Sequence, residues 1–453
     1  MESADPSKPS LLVRWLVVGA SALAPCVVAV LQLGRLHPDE VFQSLEPAMH
    51  KAFGYGVLAW EWQVGLRNWA TPGVFAGLLT LGSKLGIESV MGRRVLIEVP
   101  MFVLHLALLA AVFRFSSRRV GERTALYATV VVGCFTPLFH FAGRTMGESI
   151  STAFIVWGLE RADAKGWKAA CAGGALLGLA VISRYGSAVF AAGAVVWLLV
   201  ARRWKDAGAL AAGGLVVAAG LGALDWATWG APFHSLRKYL DFNVFSDQAA
   251  QQFGKSPASF YAPHLLWVAP FVLAMGWWFK ERALAAWGPA ALALTYLAVV
   301  SATPHKEERF LLPALVVLVV SGVPALHSFA QRWVPVAAVG AVLAVAGIAL
   351  TQLPTPFAPQ RPEQFRATVA AADGATGFLL VGDGMWGSGG FFYLGKNIPW
   401  TMCDFPEDPR FQGAMQAAEV NRVVTWGSVA VQELQAARFV AGERMGEATV
   451  WRR

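Results

Sequence analysis

Residues 11–34 read LLVRWLVVGASALAPCVVAVLQLG, an apolar run in which Arg14 is the one charged residue. About 20 such residues allow a helix to cross the hydrocarbon layer of a bilayer. Further runs of this kind follow as far as Leu353, and they lack the two-residue alternation of membrane strands. Of the 453 residues, 56% are hydrophobic and 15% are charged, against about 25% charged in soluble domains. The sequence therefore predicts an all-α polytopic membrane protein.

About eleven membrane-spanning helices are predicted. They lie near residues 12–34, 95–113, 124–142, 148–160, 169–182, 187–200, 207–229, 263–279, 283–302, 311–328 and 333–351. Lys and Arg gather in alternate loops, such as 114–123 and 202–205, which places those loops in the cytoplasm. The remaining loops then face the other side of the membrane. Residues 72–87 are apolar but too short for a comfortable crossing, so we place them as a helix in the outer leaflet.

The chain divides into two predicted domains. Residues 1–353 form the transmembrane domain, in which 35–92 is the first extracytoplasmic loop. The composition changes near residue 354, and a small extracytoplasmic α/β domain is predicted over 354–453. Strands are predicted in it at 378–381 and 423–426. A helix is predicted at 409–420, and a final hairpin at 439–450.

The motif His37-Pro38-Asp39-Glu40 stands where the first predicted helix leaves the membrane. A carboxylate held there under a lid of loops can have its pKa raised enough to accept a proton from a substrate hydroxyl. Two aromatic segments follow, Phe53-Gly54-Tyr55-Gly56 and Trp60-Glu61-Trp62, and indoles and phenols stack on sugar faces. An aromatic belt at the level of the lipid headgroups is the alternative reading of the Trp residues.

A second charged cluster, His305-Lys306-Glu307-Glu308-Arg309, separates two later apolar runs. Its Lys and Arg suit a lipid phosphate, although mixed-sign runs are equally typical of a solvated loop with internal ion pairs. Arg144 and Glu148, four residues apart, share a helix face and fit either a catalytic role or a simple ion pair. Arg184 offers another outward cation. We predict that the two clusters emerge on the same side of the membrane as two walls of one active site.

No cofactor motif stands out. The four Cys residues show neither a CxxC nor a Cys/His ligand spacing, so no zinc site is predicted. Residues 382–387, GDGMWG, fit the dinucleotide pattern GxGxxG but lack a helix-forming run behind them, and we interpret them as a tight turn. The net charge of +8 comes from short clusters between apolar runs, which is typical of helix-connecting loops rather than of a nucleic-acid surface.

As a set, these motifs resemble the polyprenol- or dolichyl-phosphate-mannose-dependent α-mannosyltransferases of GPI-anchor and N-glycan assembly, glycosyltransferase family 22 of the GT-C fold. The resemblance spans roughly residues 30 to 315. It is carried by residues 37–43 (HPDEVFQ) with Glu46 and His50, 53–56 (FGYG), 60–62 (WEW), 66–69 (LRNW) with Pro72, 144–146 (RTM), 242–244 (FNV), 253–254 (FG) and 305–311 (HKEERFL).

The resemblance implies an inverting transfer of a sugar, with mannose expected, from a polyprenyl-phosphate donor to a lipid-linked or glycan acceptor on the extracytoplasmic or lumenal side. Asp39 would be the base, with Glu40 as the second catalytic carboxylate. The donor phosphate would be held by Lys306, Arg309, Arg144 and His305. Substrate positioning would fall to His37, Tyr55, Trp60, Glu61, Trp62, Arg184, Glu307 and Glu308. Such enzymes resemble one another in not needing a catalytic metal, although the acid-rich loop leaves a divalent cation open.

The chain also departs from the family. Residues 144–149 read RTMGES where many members have Arg-Thr-x-Ser-Asn-Ser, which leaves donor and acceptor identity open. The Ala-, Gly- and Arg-rich composition and the lack of Asn-x-Ser/Thr sequons favour a bacterial inner membrane over an ER membrane. A transporter or flippase for a lipid-linked glycan is the alternative function, but the charges crowd at one surface and no repeat is evident. For the C-terminal domain we expect a role in shaping the acceptor entrance through Trp386, Phe391, Phe392 and Trp400.

Overall fold

The computed structural model describes residues 9–279, 287–332, 361–382, 384 and 387–453. The chain falls into two compact units. The first, the helical unit, comprises Met1–Val27, Val64–Ala70 and Pro100–Pro356. The second, the loop–tail unit, comprises Val28–Gln63, Thr71–Val99 and Phe357–Arg453.

Sixteen helices are described before residue 333. They are α1 (Leu11–Leu31), α2 (Glu46–Phe53), α3 (Trp60–Gln63), α4 (Ala70–Lys84), α5 (Val90–Val120), α6 (Glu122–Gly133), α7 (Thr136–Phe141), α8 (Gly147–Asp163), α9 (Trp167–Ser183), α10 (Ala188–Val200), α11 (Trp204–Trp229), α12 (His234–Leu240), α13 (Gln248–Phe253), α14 (Ala269–Phe279), α15 (Gly288–Ala302) and α16 (Leu312–Arg332). Short π-helices at Glu40–Leu45 and Asp241–Phe245, and 3-10 helices at Tyr185–Ser187, Ala258–Trp267 and Glu308–Leu311, lie between them.

Ten of the eleven predicted spans coincide with described helices, and the last, 333–351, lies outside the described residues. The span predicted at 124–142 is broken into α6 and α7. Pro137 has no N–H for the Gly133 carbonyl, and its ring would collide with that carbonyl, so α6 ends at Gly133. The short apolar stretch at 72–87 is helical, as α4 shows.

Four helices in the described part of the chain are long and apolar enough to span a membrane by themselves. They are α1, α5, α11 and the segment Glu308–His327 that contains most of α16. Residues 258–267 and 269–276 form a pair bent by 82°, which would make a fifth, broken span. Shorter apolar helices lie at Trp167–Ser183, Tyr185–Val200 and Gly288–Ala302. The number of crossings, about eleven, stays a prediction.

Small residues bring the helices of the helical unit into backbone contact. A Cβ on Gly174 of α9 would lie 1.8 Å from the Leu210 carbonyl oxygen of α11, and one on Gly213 would lie 2.0 Å from the Cys171 carbonyl oxygen. Helices in lipid have no hydrophobic drive to associate, so close approach through glycine replaces it. The pairing of α9 with α11 therefore depends on these two glycines.

One end of the helical unit collects three of the basic clusters that the sequence predicts on one side. Arg118 Nη1 lies 2.7 Å from Glu160 Oε1, and Arg119 Nη2 lies 2.7 Å from Asp163 Oδ1. Arg203 donates to the Ala164 carbonyl at 2.6 Å. The end of α5, the end of α8 and the start of α11 therefore share one end, which confirms that these loops lie together.

The tail folds as the predicted α/β domain. Its strands are β1 (Phe378–Val381), β2 (Trp400–Cys403), β3 (Arg422–Trp426), β4 (Val440–Met445) and β5 (Ala448–Arg452), and its helices are α17 (Pro362–Ala371), α18 (Gly390–Leu394), α19 (Pro409–Gln416) and α20 (Val431–Ala436). The sheet order is β2-β1-β3-β5-β4. Strands β1, β2 and β3 are parallel, whereas β5 pairs antiparallel with β3 and β4. The predicted strands at 378–381 and 423–426 and the final hairpin are confirmed.

Strand β1 is buried on both faces, which explains its unbroken apolar sequence. Leu379 packs in a cluster with Phe411 and Trp451, while Phe378 packs in another with Val450. Gly382 directly after β1 has a φ of +80°, which fits the turn interpreted there. Residues 383, 385 and 386 of that turn, including Trp386, lie outside the described residues.

Candidate functional site

The two acids of the HPDE motif occupy different environments in the loop–tail unit. Glu40 is 3% exposed, and its Oε1 accepts the N–H of Leu36 at 2.5 Å and that of His37 at 3.4 Å. The Asp39 side chain is 19% exposed, and its Oδ1 lies 3.2 Å from His37 Nδ1. Glu40 therefore fixes the backbone of its own turn, while Asp39 presents the more accessible carboxylate.

The segment after Asp39 is a π-helix, Glu40–Leu45, that runs directly into α2. π-Helical segments occur frequently at functional sites. Trp62 of the WEW motif is buried, and its indole Nε1 donates to the Phe42 carbonyl at 3.2 Å. Trp62, predicted to position a substrate, thus braces the π-helix. Trp60 and Glu61 beside it are half-buried.

Tyr55, also predicted to position a substrate, packs against the tail. Its ring lies 5.7 Å from that of Phe391 in an edge-to-face arrangement, and Phe391 lies 5.0 Å from Trp400 in the same way. Phe392 is 0% exposed. Of the tail aromatics expected to shape an acceptor entrance, Phe392 is therefore a core residue, and Phe391 contacts the first loop.

Glu46 at the start of α2 received no role from the sequence, although it belongs to the motif set. It is fully buried, and its two carboxylate oxygens accept the N–H of Val57 and that of Phe392, each at 2.7 Å. Burial raises the pKa of Glu46 to about 7, even though hydrogen bonds from Val57, Phe392 and Phe391 favour the ionised form. The available signal in the sequence was a charged residue shortly after the HPDE motif, at the start of a helix whose next residues are buried.

The HKEER cluster of the helical unit is hydrogen-bonded within itself and to its surroundings. Lys306 is 7% exposed, and its Nζ donates to the Ser256 carbonyl at 2.8 Å and to that of Thr303. Glu307 accepts from Arg309 Nε at 2.6 Å and lies 2.9 Å from His305 Nε2. The predicted phosphate-holding residues are thus pre-arranged, with two of the three Lys306 donors already engaged.

Glu148 at the start of α8 is the shared anion between two arginines of the helical unit. Arg184 contacts its carboxylate directly, and Arg309 Nε lies 3.5 Å from Glu148 Oε1. Burial works against the Arg184 charge, but the Glu148 carboxylate outweighs it and raises the pKa of that guanidinium above its ordinary value. Arg184 also stacks over the Phe310 ring at 4.4 Å. The loops at 144–149, 183–186 and 304–310 therefore meet at one end, as predicted.

The departure from the family pattern at residues 147–148 has a structural explanation. A Cβ on Gly147 would lie 2.7 Å from the Ser183 carbonyl oxygen, so only glycine lets the start of α8 approach the end of α9 this closely. The acid at Glu148 is neutralised by Arg184 from that same end. Arg144, 2% exposed, lies in the loop before α8.

A polar network missed by the sequence analysis anchors the long loop after α11. Asn68 Nδ2 donates to the Tyr185 hydroxyl at 3.0 Å, and that hydroxyl lies 2.5 Å from Ser235 Oγ. Ser235 in turn donates to Asp225 Oδ2 at 2.6 Å. Asn68 of the LRNW motif therefore helps to hold the loop, and this polar residue at the boundary of an apolar run was the signal in the sequence.

The predicted site residues divide between the two units. The helical unit holds Arg144, Arg184, His305, Lys306, Glu307, Glu308 and Arg309, and the loop–tail unit holds His37, Asp39, Glu40, Tyr55, Trp60, Glu61 and Trp62. Direct contacts link His305, Glu307 and Arg309 in the first set and His37 and Asp39 in the second. That the two sets face one another stays a prediction. Within the described ranges, no three His, Cys, Asp or Glu side chains are grouped in a way that could hold a metal ion.

The profile of the Alg9-like mannosyltransferase family matches residues 15–355. The chain belongs to this family. It is 27% identical over 296 residues to GPI mannosyltransferase 3 of Yarrowia lipolytica, covering 62% of this chain and 56% of that protein. Mannosyltransferase APTG1 of Arabidopsis thaliana is 26% identical over 333 residues, covering 67% and 57%. The chain thus spans little more than half the length of these relatives.

Two solved structures share the fold. ArnT from Cupriavidus metallidurans, bound to undecaprenyl phosphate, superposes with a TM-score of 0.63 at 14% identity and covers 98% of both chains. The oligosaccharyltransferase AglB from Archaeoglobus fulgidus, in complex with an inhibitory peptide and a dolichol-phosphate, gives 0.51 at 11% identity and covers 92% of this chain and 69% of AglB. The predicted GT-C fold is confirmed, and the protein is an integral membrane protein.

Proposed function

We propose that the protein is a glycosyltransferase that moves mannose from a polyprenyl-phosphate donor to a hydroxyl of a lipid-linked or glycan acceptor. The family match over residues 15–355 carries this proposal, because it includes both charged clusters. The likeness to ArnT and AglB, whose structures contain undecaprenyl phosphate and dolichol-phosphate, supports a lipid-phosphate donor. Neither comparison favours a transporter or flippase.

In the proposed reaction, Asp39 removes the proton of the acceptor hydroxyl as its oxygen attacks the anomeric carbon opposite the departing phosphate. The carbon–oxygen bond to the phosphate breaks, and the polyprenyl phosphate leaves with the bonding electrons. Lys306, Arg309, Arg144 and His305 stabilise the negative charge that develops there. Glu40 supports the turn that presents Asp39, through its bond to the Leu36 amide.

The substrate-positioning roles stay with His37, Tyr55, Trp60, Glu61, Trp62, Arg184, Glu307 and Glu308. The bonds described above divide this set. Tyr55 and Trp62 act indirectly, by supporting the acidic loop. Arg184 and Glu307 act indirectly, by fixing the arginine pair around Glu148.

The proposed location of the site is the extracytoplasmic face of a bacterial inner membrane. The end of the helical unit with Arg118, Arg119 and Arg203 is the basic one, and basic loops remain in the cytoplasm. The end that holds Glu148 and Arg309 is the opposite end of α8 and faces outward on this reasoning. No metal is needed for the proposed steps, so transfer is expected to persist in EDTA.

The function is tested by incubating the purified full chain with radiolabelled polyprenyl-phosphate-mannose and native lipid extract, and identifying the labelled product. Asp39→Asn is expected to lower the rate by roughly 100-fold or more, since a positioned base contributes about 10²–10⁴-fold. Asp404→Asn, at an exposed tail residue, is the matched control and retains the wild-type rate. Near-normal transfer by Asp39→Asn would remove the proposed base, and absence of any labelled lipid with the wild type would reject the donor.

A further inference from the structure

A buried carboxylate joins the first loop to the tail within the loop–tail unit. Glu46 opens α2, and its Oε1 accepts the N–H of Phe392 in α18, a residue 346 positions later in the chain. Its Oε2 accepts the N–H of Val57 in the aromatic segment. One side chain therefore receives hydrogen bonds from two separate segments; the bond from Phe392 is buried, and the bond from Val57 is partly buried.

Two glycines are required for this arrangement. Gly390 has a φ of +65°, and a Cβ there would lie 2.5 Å from Glu46 Oε1. Gly56 has a φ of +140°, and a Cβ there would lie 2.6 Å from the Glu46 carbonyl oxygen. A side chain at either position would strain the backbone. At Gly390 it would also displace the Glu46 carboxylate, whereas at Gly56 it would collide with the backbone of α2.

Aromatic and cationic contacts also join the first loop to residues 390–395, along the boundary that we call the seam. Tyr55 meets Phe391 edge to face at 5.7 Å. Arg93 at the start of α5 lies over the Phe53 ring at 5.1 Å and donates to the Gly395 carbonyl at 3.3 Å. Residues 46–56 are thus held to residues 390–395 at several points, through Glu46, Tyr55 and the Arg93 that stacks on Phe53.

The helix that carries Glu46 is connected directly to the HPDE motif. Asp39 immediately precedes the π-helix Glu40–Leu45, and that helix passes without interruption into α2 at Glu46. Trp62, at the far end of the aromatic loop, bonds to the π-helix at Phe42. Glu46 and Asp39 are therefore joined by one continuous helical segment.

We propose that Glu46 is a positioning residue for Asp39. In this proposal, residues 390–395 of the tail help to hold the acidic loop, residues 36–46, in place. The tail segment closes the pocket around the carboxylate, and the carboxylate fixes the helix that presents Asp39. Residues 390–395 lie beyond the family match, which ends at 355, so this chain completes a family motif with a segment outside it. The activity part of the proposal rests on the proposed function.

The experiment compares the full-length wild type, Glu46→Gln and Gly390→Ala in detergent, with hydrogen exchange and steady-state kinetics on the same samples. Glu46→Gln keeps the volume but turns an N–H toward donors that need an acceptor. Gly390→Ala disturbs the same contact from the tail side. The experiment can therefore still be carried out if one of the two variants does not accumulate. Exchange is followed in peptides covering 36–45 and 388–395, with 312–332 of the helical unit as the internal reference.

Both variants are expected to exchange about tenfold faster at 36–45 and 388–395, which corresponds to losing one buried hydrogen bond to the carboxyl group. At 312–332 exchange stays at the wild-type rate. The turnover number per folded enzyme falls roughly 10- to 100-fold, because small displacements of a catalytic group are costly, while KM for the donor changes less than about threefold. Glu46→Asp, which keeps the charge, recovers part of the turnover. Glu443→Gln, at an exposed tail position, matches the wild type.

Unchanged exchange at 36–45 in both variants would overturn the coupling of tail to acidic loop. Faster exchange there with wild-type turnover would overturn the positioning role. Failure of the proposed function looks different, because the wild type would then transfer no mannose. The exchange measurement decides the coupling in that case without reference to activity.

Discussion

At the scale of single residues, neighbouring carboxylates are separated by what they bond. Glu40 is occupied by the amides of Leu36 and His37, whereas Asp39 keeps its side chain near His37 and partly open to solvent. Glu46 is enclosed completely. Three acids within one short stretch therefore have three different environments: one shapes a turn, one is partly open to solvent, and one ties distant segments together.

Glu40→Ala is expected to destabilise the acidic turn rather than to remove a reacting group. Two backbone N–H groups lose their acceptor, which costs about 1–3 kcal/mol when the amides are buried. Thermal unfolding and hydrogen exchange at 36–45 measure this. An unfolding temperature equal to that of the wild type would show that water replaces the carboxylate at no cost.

The stability of the loop–tail unit is expected to fall as pH rises from about 4.5 to about 7. The folded state raises the Glu46 pKa from 4.5 to about 7, so between these values it binds a proton that the unfolded chain has released. The contribution is fully favourable below the unfolded value, and up to roughly 3 kcal/mol is lost above the folded one. Exchange at 388–395, corrected for the intrinsic pH dependence, is the measurement. Glu46→Gln should flatten the profile, and a profile equally steep in that variant contradicts the assignment.

At the scale of elements, helix pairing depends on where glycines stand. Gly213→Leu would drive side-chain atoms into the α9 backbone, since even a Cβ there lies 2.0 Å from the Cys171 carbonyl oxygen. A loss of several kcal/mol is expected, as for other overpacked sites. Gly208→Ala on the same helix has open space around it and should be neutral or stabilising by up to about 1 kcal/mol. Thermal unfolding of the two variants side by side would refute the argument if both behaved alike.

The cluster around Glu148 is an element-scale feature because it ties α8, the end of α9 and the residues before α16. Glu148→Gln leaves the partly exposed Arg184 and Arg309 without their shared anion, so a loss of stability is expected, smaller than the about 3–5 kcal/mol that a fully buried pair would cost. Arg184→Met alone should cost a comparable amount. The double variant should cost less than the sum, and strict additivity in the double-mutant cycle would show that the pair does not interact.

The helices, strands β1 and β3 and the final hairpin were predictable because they depend on local sequence. An apolar run such as 311–328 must be helical wherever water is absent, since its backbone groups have no other partners. Strand β2 was missed because Trp400–Cys403 is a partly exposed four-residue segment that is defined by pairing with β1. The roles of Glu46 and Glu148 were missed for the same reason. Their partners, Phe392 and Arg184, are distant in sequence. For Glu148, the four-residue spacing pointed to Arg144 rather than to Arg184.

At the scale of the whole molecule, the proposed base and the proposed phosphate-holding residues belong to different compact units. The first loop and the tail share one of these units, even though nearly the whole helical region separates them in sequence. The tail therefore contributes to the structure of the acidic loop.

Deletion of the chain after residue 360 is expected to abolish transfer to short and long acceptors alike. Without residues 390–395 the Glu46 carboxylate loses the Phe392 amide, and Tyr55 loses its contact with Phe391. The rates with two acceptors of different length, measured on protein of equal folded fraction, provide the test. A loss confined to the long acceptor would instead favour the role in shaping the acceptor entrance.

The separation of 346 positions between Glu46 and Phe392 also imposes a delay during translation. A ribosome adds about 5–20 residues per second, so roughly 20–70 s elapse between the emergence of the acidic segment and the arrival of its partner. During that interval the nascent chain already carries its acids but lacks the amides that align them. The acidic segment can thus complete its hydrogen bonds only after residues 390–395 have been translated, and on the proposed function a chain that terminates before them is expected to transfer no sugar.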